Sequence, residues 1–257
     1  SLVRSARTGL FLLTLGAGFL ALAVRAPAQA LDRGPYLQRA TPGGITVCWR
    51  TSAPTDSVVR IGATPTTLSL VVSDPTPVTE HRLGVTGLLP DTRYYYSIGD
   101  SLGVLAGADA EHHFATHPLA GARKPFRAWV IGDSGSATAQ QRAVRDAFLA
   151  FNGMRDVDLW LMLGDNAYSS GTQAEYQAGL FQNMYEPILA RTTLWPTIGN
   201  HDAVSANPVT QTGPYFDIFE LPVAGEAGGV PSGTEAYYSY DYANAHFVVL
   251  DTHVNSF

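Results

Sequence analysis

Apolar and polar positions change rhythm once along this chain, near residue 120. Before that point hydrophobic residues alternate with others: Ile45, Val47 and Trp49 form one such series, and Tyr94, Tyr96 and Ile98 another. A period of two is what a strand with one buried face produces. The runs Gly44 to Thr51, Ser57 to Gly62, Leu68 to Ser73, His81 to Thr86 and Tyr94 to Gly99 are separated by Gly, Pro and Asp. They recur at roughly the 8 to 12 residue spacing of a β-sandwich. No helical period occurs between Leu31 and Pro118.

Gly121 to Pro125 reads as a linker, and strands then alternate with helical stretches. The pattern predicts strands over Phe126 to Gly132, Val157 to Gly164 and Leu194 to Gly199. It predicts helices over Ala137 to Phe151 and over Gln173 to Ala190, the second ended near Pro187. Alternation of this kind implies βαβ units and a sheet covered on both faces. Tyr237 to Tyr242 and Phe247 to Leu250 add two more strands, joined as a hairpin around Asn244. The expected fold is therefore multidomain: an all-β sandwich over residues 31–118, a linker over 119–125, and an α/β domain over 126–257 with its β-sheet core flanked by helices.

Composition adds the setting. The 257 residues are 46% hydrophobic and 15% charged, enough apolar material for one large domain or two modest ones. Residues 1–30 read as a cleaved signal peptide, with Arg4 and Arg7 ahead of the apolar run Gly9 to Val24 and an Ala28-Gln29-Ala30 cleavage pattern. That implies a secreted or periplasmic protein with no stable membrane span after cleavage. Removing the segment takes three arginines and no acids, so the net charge of −6 becomes −9. An acidic surface argues against nucleic-acid binding, which needs Lys and Arg against phosphates. Cys48, the only cysteine, excludes an intramolecular disulfide and reads as a small core residue. His81, His112, His113 and His117 read as solvated or strand-end residues outside any site.

Candidate chemistry sits after the strands of the second region. Gly132-Asp133-Ser134-Gly135, Gly164-Asp165-Asn166-Ala167-Tyr168 and Gly199-Asn200-His201-Asp202 each follow an apolar run. Ligands of open α/β sheets bind beyond the carboxyl ends of the strands, so three successive strands deliver Asp133, Asp165 and Asn200 to one edge. Each turn alone is ordinary turn chemistry. Together they offer carboxylates, a phenol, an amide oxygen and an imidazole, a hard donor set suited to a two-metal phosphoryl-transfer site.

These turns resemble the first three motif blocks of purple acid phosphatases and related metallophosphoesterases: G-D-x-G, G-D-x-x-Y and G-N-H-[DE]. The resemblance implies Asp133 on a first metal, Asp165 bridging both metals, Tyr168 on the first metal as phenolate, and Asn200 on the second. His201 would contact the substrate phosphate or leaving group. The implied cofactors are two metal ions, Fe(III) plus a divalent Fe, Zn or Mn, and the implied activity is hydrolysis of phosphate monoesters by a metal-activated hydroxide. Arg33 to Gln38 and Val47 to Thr51 are similar to the opening of the fibronectin-like domain that precedes the catalytic domain in this family. Leu88 to Tyr96 resembles the L-x-P-x-T-x-Y signature of fibronectin type III domains, which makes Tyr94 a corner-pinning residue.

The family's later blocks, V-x-x-H and G-H-x-H, do not occur in this sequence. The chain is accordingly expected to be a piece of a longer product, with little or no phosphatase activity of its own and with His253 as a cleft-edge residue. A phosphodiesterase or nucleotidase on the same scaffold, or a secreted binding protein with a degenerate enzyme domain, are the alternatives.

Overall fold

The computed structural model describes residues 30–153 and 155–253, so the expected signal peptide lies outside the described residues apart from Ala30. The first region is built from six strands: β1 (Leu31–Thr41), β2 (Gly44–Gly62), β3 (Leu70–Thr86), β4 (Arg93–Gly99), β5 (Val104–Gly107) and β6 (His113–Ala115). Two pairs of expected strands are therefore single long ones. β2 runs 19 residues through Pro54, and β3 runs 17. Pro54 reads as a breaker, yet it falls in an exposed irregularity between Arg50 and Ser57, where a missing N–H disrupts little.

That irregularity changes the partners of β2. Its first half pairs antiparallel with β1 and β3, and its second half with β3 and β4. Alternating residues from these strands meet in one core around Leu37, Val47, Trp49, Val59, Tyr96 and Phe114. Cys48 points the other way and joins the core of the second region, where burial pushes its thiol up to about 12. Tyr94 accepts a hydrogen bond from the Leu89 N–H at 3.0 Å, holding the chain where it enters β4.

The four histidines lie outside the site, and His113 opens β6 as a strand-end residue, but none is freely solvated. His81 is fully buried, stacked on Trp49, with hydroxyls of Thr51 and Ser57 at 2.7 and 2.8 Å. His113 is also buried, and His112 packs edge-on to Tyr96. His117 lies among Trp195, Tyr240 and Tyr242, and burial lowers its pKa to about 4. The second region covers His117, whereas His81 and His112 pack against rings of the first.

In that region β7 (Ala128–Ile131), β8 (Leu159–Met162) and β9 (Thr193–Pro196) are parallel and in register. β9 also pairs with β1 through Leu37 and Thr193, so one sheet, ordered β5-β4-β2-β1-β9-β8-β7, runs through both regions. On one face Trp129 stacks on Phe148 of α1 (Ala139–Asn152), with ring centroids 4.1 Å apart, and on Trp160 at 4.9 Å. On the other, Trp195 stacks on Tyr240 at 3.8 Å. Tyr240 belongs to the hairpin β10 (Tyr238–Tyr242) and β11 (Ala245–Val249), whose turn includes Asn244 as expected.

The expected helix over residues 173–190 is interrupted. α2 (Gln173–Tyr176) continues as a wider helical stretch to Tyr185, broken by non-helical Gln182 and by Asn183 at φ 56°, before α3 (Glu186–Leu189). Pro187 opens α3 rather than ending a helix, because a proline in the first turn gives up no helical hydrogen bond. The N-terminal region grips this stretch through Arg33, whose side chain is fully buried. Arg33 donates to Gln177 Oε1 at 3.1 Å and Gln173 Oε1 at 3.2 Å, and its guanidinium lies 4.1 Å from the Phe181 ring centre.

Candidate metal centre

Each of the three turns begins where a parallel strand ends, and their backbones interlock. Asp133 N–H donates to Gly164 O at 3.1 Å, and Tyr168 N–H donates to Gly135 O at 2.9 Å. Gly164, at φ 97°, lies against Gly199, and a Cβ on Gly199 would stand 2.1 Å from the Asp165 nitrogen. The glycine of G-N-H-D is thus required for close approach of two strand ends.

Asp133 and Asp165 both adopt φ 54°, in the left-handed region that few residues other than Gly, Asn and Asp enter. In this conformation they meet: the Tyr168 hydroxyl lies 2.8 Å from Asp133 Oδ1 and 2.9 Å from Asp165 Oδ2. Burial and these two carboxylates hold the Tyr168 phenol well above its ordinary pKa. One hydroxyl proton between two carboxylates leaves excess negative charge. The residues that share an open cleft of about 420 Å³ with the two aspartates include Asn200, Thr252 and His253 but no Lys or Arg.

The donor set fits a hard cation, because a metal replacing the phenolic proton would answer both the shared proton and the uncompensated charge. Among the described residues no group of three or more His, Cys, Asp or Glu converges, and the oxygen the two aspartates share is the Tyr168 phenol. Asn200 is exposed at the cleft wall. His201 sits beside Tyr168, ring centroids 4.5 Å apart; its backbone N–H donates to Asp165 Oδ1 at 3.0 Å and its Nδ1 to Ser169 O at 2.6 Å. His253 is exposed at the cleft edge, as expected.

Asp202 has a structural role that the sequence reading did not assign. It is completely buried beneath the turns. Its carboxylate accepts from Asn166 N–H at 3.1 Å, Asn166 Nδ2 at 2.9 Å, Gly199 N–H at 2.8 Å and Tyr176 O–H at 2.6 Å. Burial raises its pKa, against the pull of those donors. One acid thus ties the second turn to the third, and the final acidic position of G-N-H-[DE] was the available signal.

Comparison with known proteins follows the same division. The N-terminal domain of purple acid phosphatases matches residues 35–116, and the calcineurin-like phosphoesterase domain matches residues 126–252. Acid phosphatase type 7 of Homo sapiens is 28% identical over 254 residues, covering 90% of this chain and 51% of its own. Purple acid phosphatase 23 of Arabidopsis thaliana is 26% identical over 198 residues, covering 68% of this chain and 41% of its own. The chain thus spans about half or less of these relatives. The solved structure of PhoD superposes with a TM-score of 0.59 at 15% identity, over 86% of this chain and 52% of that one, a likeness that bears on the fold alone. With the two domains matched in tandem and purple acid phosphatases among its relatives, the chain belongs to the purple acid phosphatase-like metallophosphoesterases.

Proposed function

We propose that this chain contributes to a binuclear metal centre that hydrolyses phosphate monoesters, as an acid phosphatase type of enzyme. The observation that carries the reading is the convergence of Asp133, Asp165 and Tyr168 within 2.9 Å at the ends of neighbouring parallel strands. In this reading Asp133 and Tyr168 would hold the first ion, Asn200 the second, and Asp165 would serve both. A tyrosinate favours a trivalent ion, so Fe(III) pairs with divalent Fe, Zn or Mn. When bound, the ions neutralise phosphoryl oxygens and activate water.

The protein's own residues orient the rest. The left-handed backbone of Asp133 and Asp165 aims their carboxylates at one point, and Asp202 keeps the turns in register from below. Ser169 O can only accept, so Nδ1 of His201 carries a proton; Nε2 is the ring atom left to meet a phosphate or leaving-group oxygen. Residues 31–118 form a fibronectin type III-like domain in this proposal, supported by the Tyr94 corner and the partner exchange of β2. A secreted or periplasmic location rests on the signal-like residues 1–30. No helix among the described residues is long and apolar enough to cross a membrane. The acidic composition argues against nucleic-acid partners.

The test compares aryl phosphate monoester and diester hydrolysis, with Fe(III) and Zn(II) supplied, by this chain and by a chain extended to the length of the relatives. The extended chain is expected to turn over the monoester faster and to lose that activity on Asp165→Asn. The 257-residue chain is expected to show little or no turnover, since the two later histidine blocks do not occur in it. Robust turnover by the short chain, or a diester preference in the long one, contradicts the reading.

A further inference from the structure

The loop between Tyr168 and α2 is organised around a carboxylate that no metal needs. Glu175 Oε1 accepts from Ser169 N–H at 2.6 Å, and its Oε2 accepts from Ser170 N–H at 3.1 Å, Thr172 N–H at 2.9 Å and Thr172 O–H at 3.0 Å. Thr172 returns the contact by accepting from Glu175 N–H at 3.3 Å, completing a reciprocal cap on α2. A helix cap needs only the Thr172 bonds. The bonds to Ser169 and Ser170 reach past the cap into the candidate site.

Peptide planarity gives those extra bonds a consequence. Ser169 C=O and Ser170 N–H belong to one peptide unit and point in opposite directions. Glu175 takes the N–H, so the carbonyl is turned away from the helix, and it meets His201 Nδ1 at 2.6 Å. Gly171 allows the loop to lie this close to the third turn: a Cβ there would stand 2.6 Å from Asp202 Cα. No other hydrogen bond among the described residues engages the His201 ring.

We propose that Glu175 is a positioning residue for His201: by fixing the Ser169–Ser170 peptide it holds the carbonyl to which Nδ1 donates, and so sets the orientation and tautomer of the ring. The inference deepens the role proposed for His201 and rests on it. Neutral imidazole would otherwise distribute its proton between the two nitrogens according to local contacts alone. In this arrangement Nδ1 is committed to Ser169 O, and Nε2 is the ring nitrogen left without a hydrogen-bond partner among the described residues.

The experiment is nitrogen-15 NMR of the imidazole tautomers in the metal-free chain, in mildly alkaline buffer, with His201 assigned by comparison with His201→Gln. His201 is expected to appear as the Nδ1–H form. Glu175→Ala is expected to move the tautomer ratio toward Nε2–H by about tenfold, the worth of one ordinary hydrogen bond. Thr172→Ala, which weakens the cap but leaves the Ser169 and Ser170 bonds, is expected to leave the ratio in place. Glu175→Asp serves if the alanine variant does not fold, and is expected to raise the Nε2–H fraction because its shorter carboxylate cannot reach both Thr172 and Ser170. An Nδ1–H ratio unchanged in the Glu175 variants, or shifted equally by Thr172→Ala, overturns the proposal. Because the readout uses neither metal nor substrate, it is independent of whether the hydrolase reading holds.

Discussion

The two regions of this molecule use the same polar residue types to opposite ends. In the first, His81 and Tyr94 are spent internally: the imidazole takes two hydroxyls and the phenol takes a backbone N–H. In the second, Tyr168, Asp133 and Asp165 have little but one another. Residue type does not separate the two cases. Backbone does: the site aspartates sit in the left-handed region at the open ends of parallel strands, whereas the first-region groups sit along or beside strands with a covered face. A polar group on a covered face must be satisfied locally, because leaving it unpaired costs about 1–3 kcal/mol. A group at a strand end can wait for a ligand.

Asp202 tests that contrast most severely, since it is a buried acid inside the ligand-facing region. Asp202→Ala strands the N–H groups of Asn166 and Gly199 and the Tyr176 hydroxyl, and is expected to cost about 3–5 kcal/mol in urea unfolding, as for removal of one partner from a buried charged network. Asp133→Ala, at the exposed edge, is expected to cost under about 1 kcal/mol. Equal losses would erase the distinction.

His117 sharpens the comparison through pH. Its folded pKa of about 4 lies below the ordinary value of 6.5, so the folded state prefers the neutral ring. The stabilisation is present above pH 6.5 and is lost as pH falls toward 4, because the unfolded chain binds the proton first. The loss is on the order of 3 kcal/mol. Urea unfolding at a series of pH values is expected to show it, and His117→Gln is expected to flatten that part of the curve. An unchanged curve in the variant would mean the ring is not held neutral by the second region.

The smallest effect is at the strand corner. Tyr94→Phe removes one hydrogen bond, to the Leu89 N–H, and is expected to cost about 1 kcal/mol with the ligand-facing turns undisturbed. Denaturation with one reporter in each region checks this; a loss above about 3 kcal/mol would give Tyr94 a role beyond the corner.

Much of this was legible beforehand, and the gaps have physical causes. The alternating residues Ile45, Val47 and Trp49 point into a core as their period requires, and the three glycine-led turns converge as strand-end placement requires. Pro54 was misleading because propensity treats a proline as a break while a bulge absorbs it. The helix over residues 173–190 was overextended because Asn183 leaves helical geometry inside an otherwise helical stretch. The burial of His117 is not announced by any local pattern, because it depends on β1 pairing with β9 and on Trp195 and Tyr242 of the second region packing over the ring. Asp202 and Glu175 left a trace in the last position of G-N-H-[DE] and in the Thr-x-x-Glu spacing of a helix cap, but the backbone N–H groups of Asn166, Gly199, Ser169 and Ser170 that they also hold carry no residue-type signal.

The central claim is that Tyr168 and the two aspartates form a cation site, and a spectroscopic titration addresses it directly. Adding Fe(III) to the metal-free chain is expected to produce a visible tyrosinate-to-iron absorption band that is absent in Tyr168→Phe and weakened in Asp133→Asn. A band of equal intensity in Tyr168→Phe, or none in the unmodified chain at saturating iron, would contradict the account.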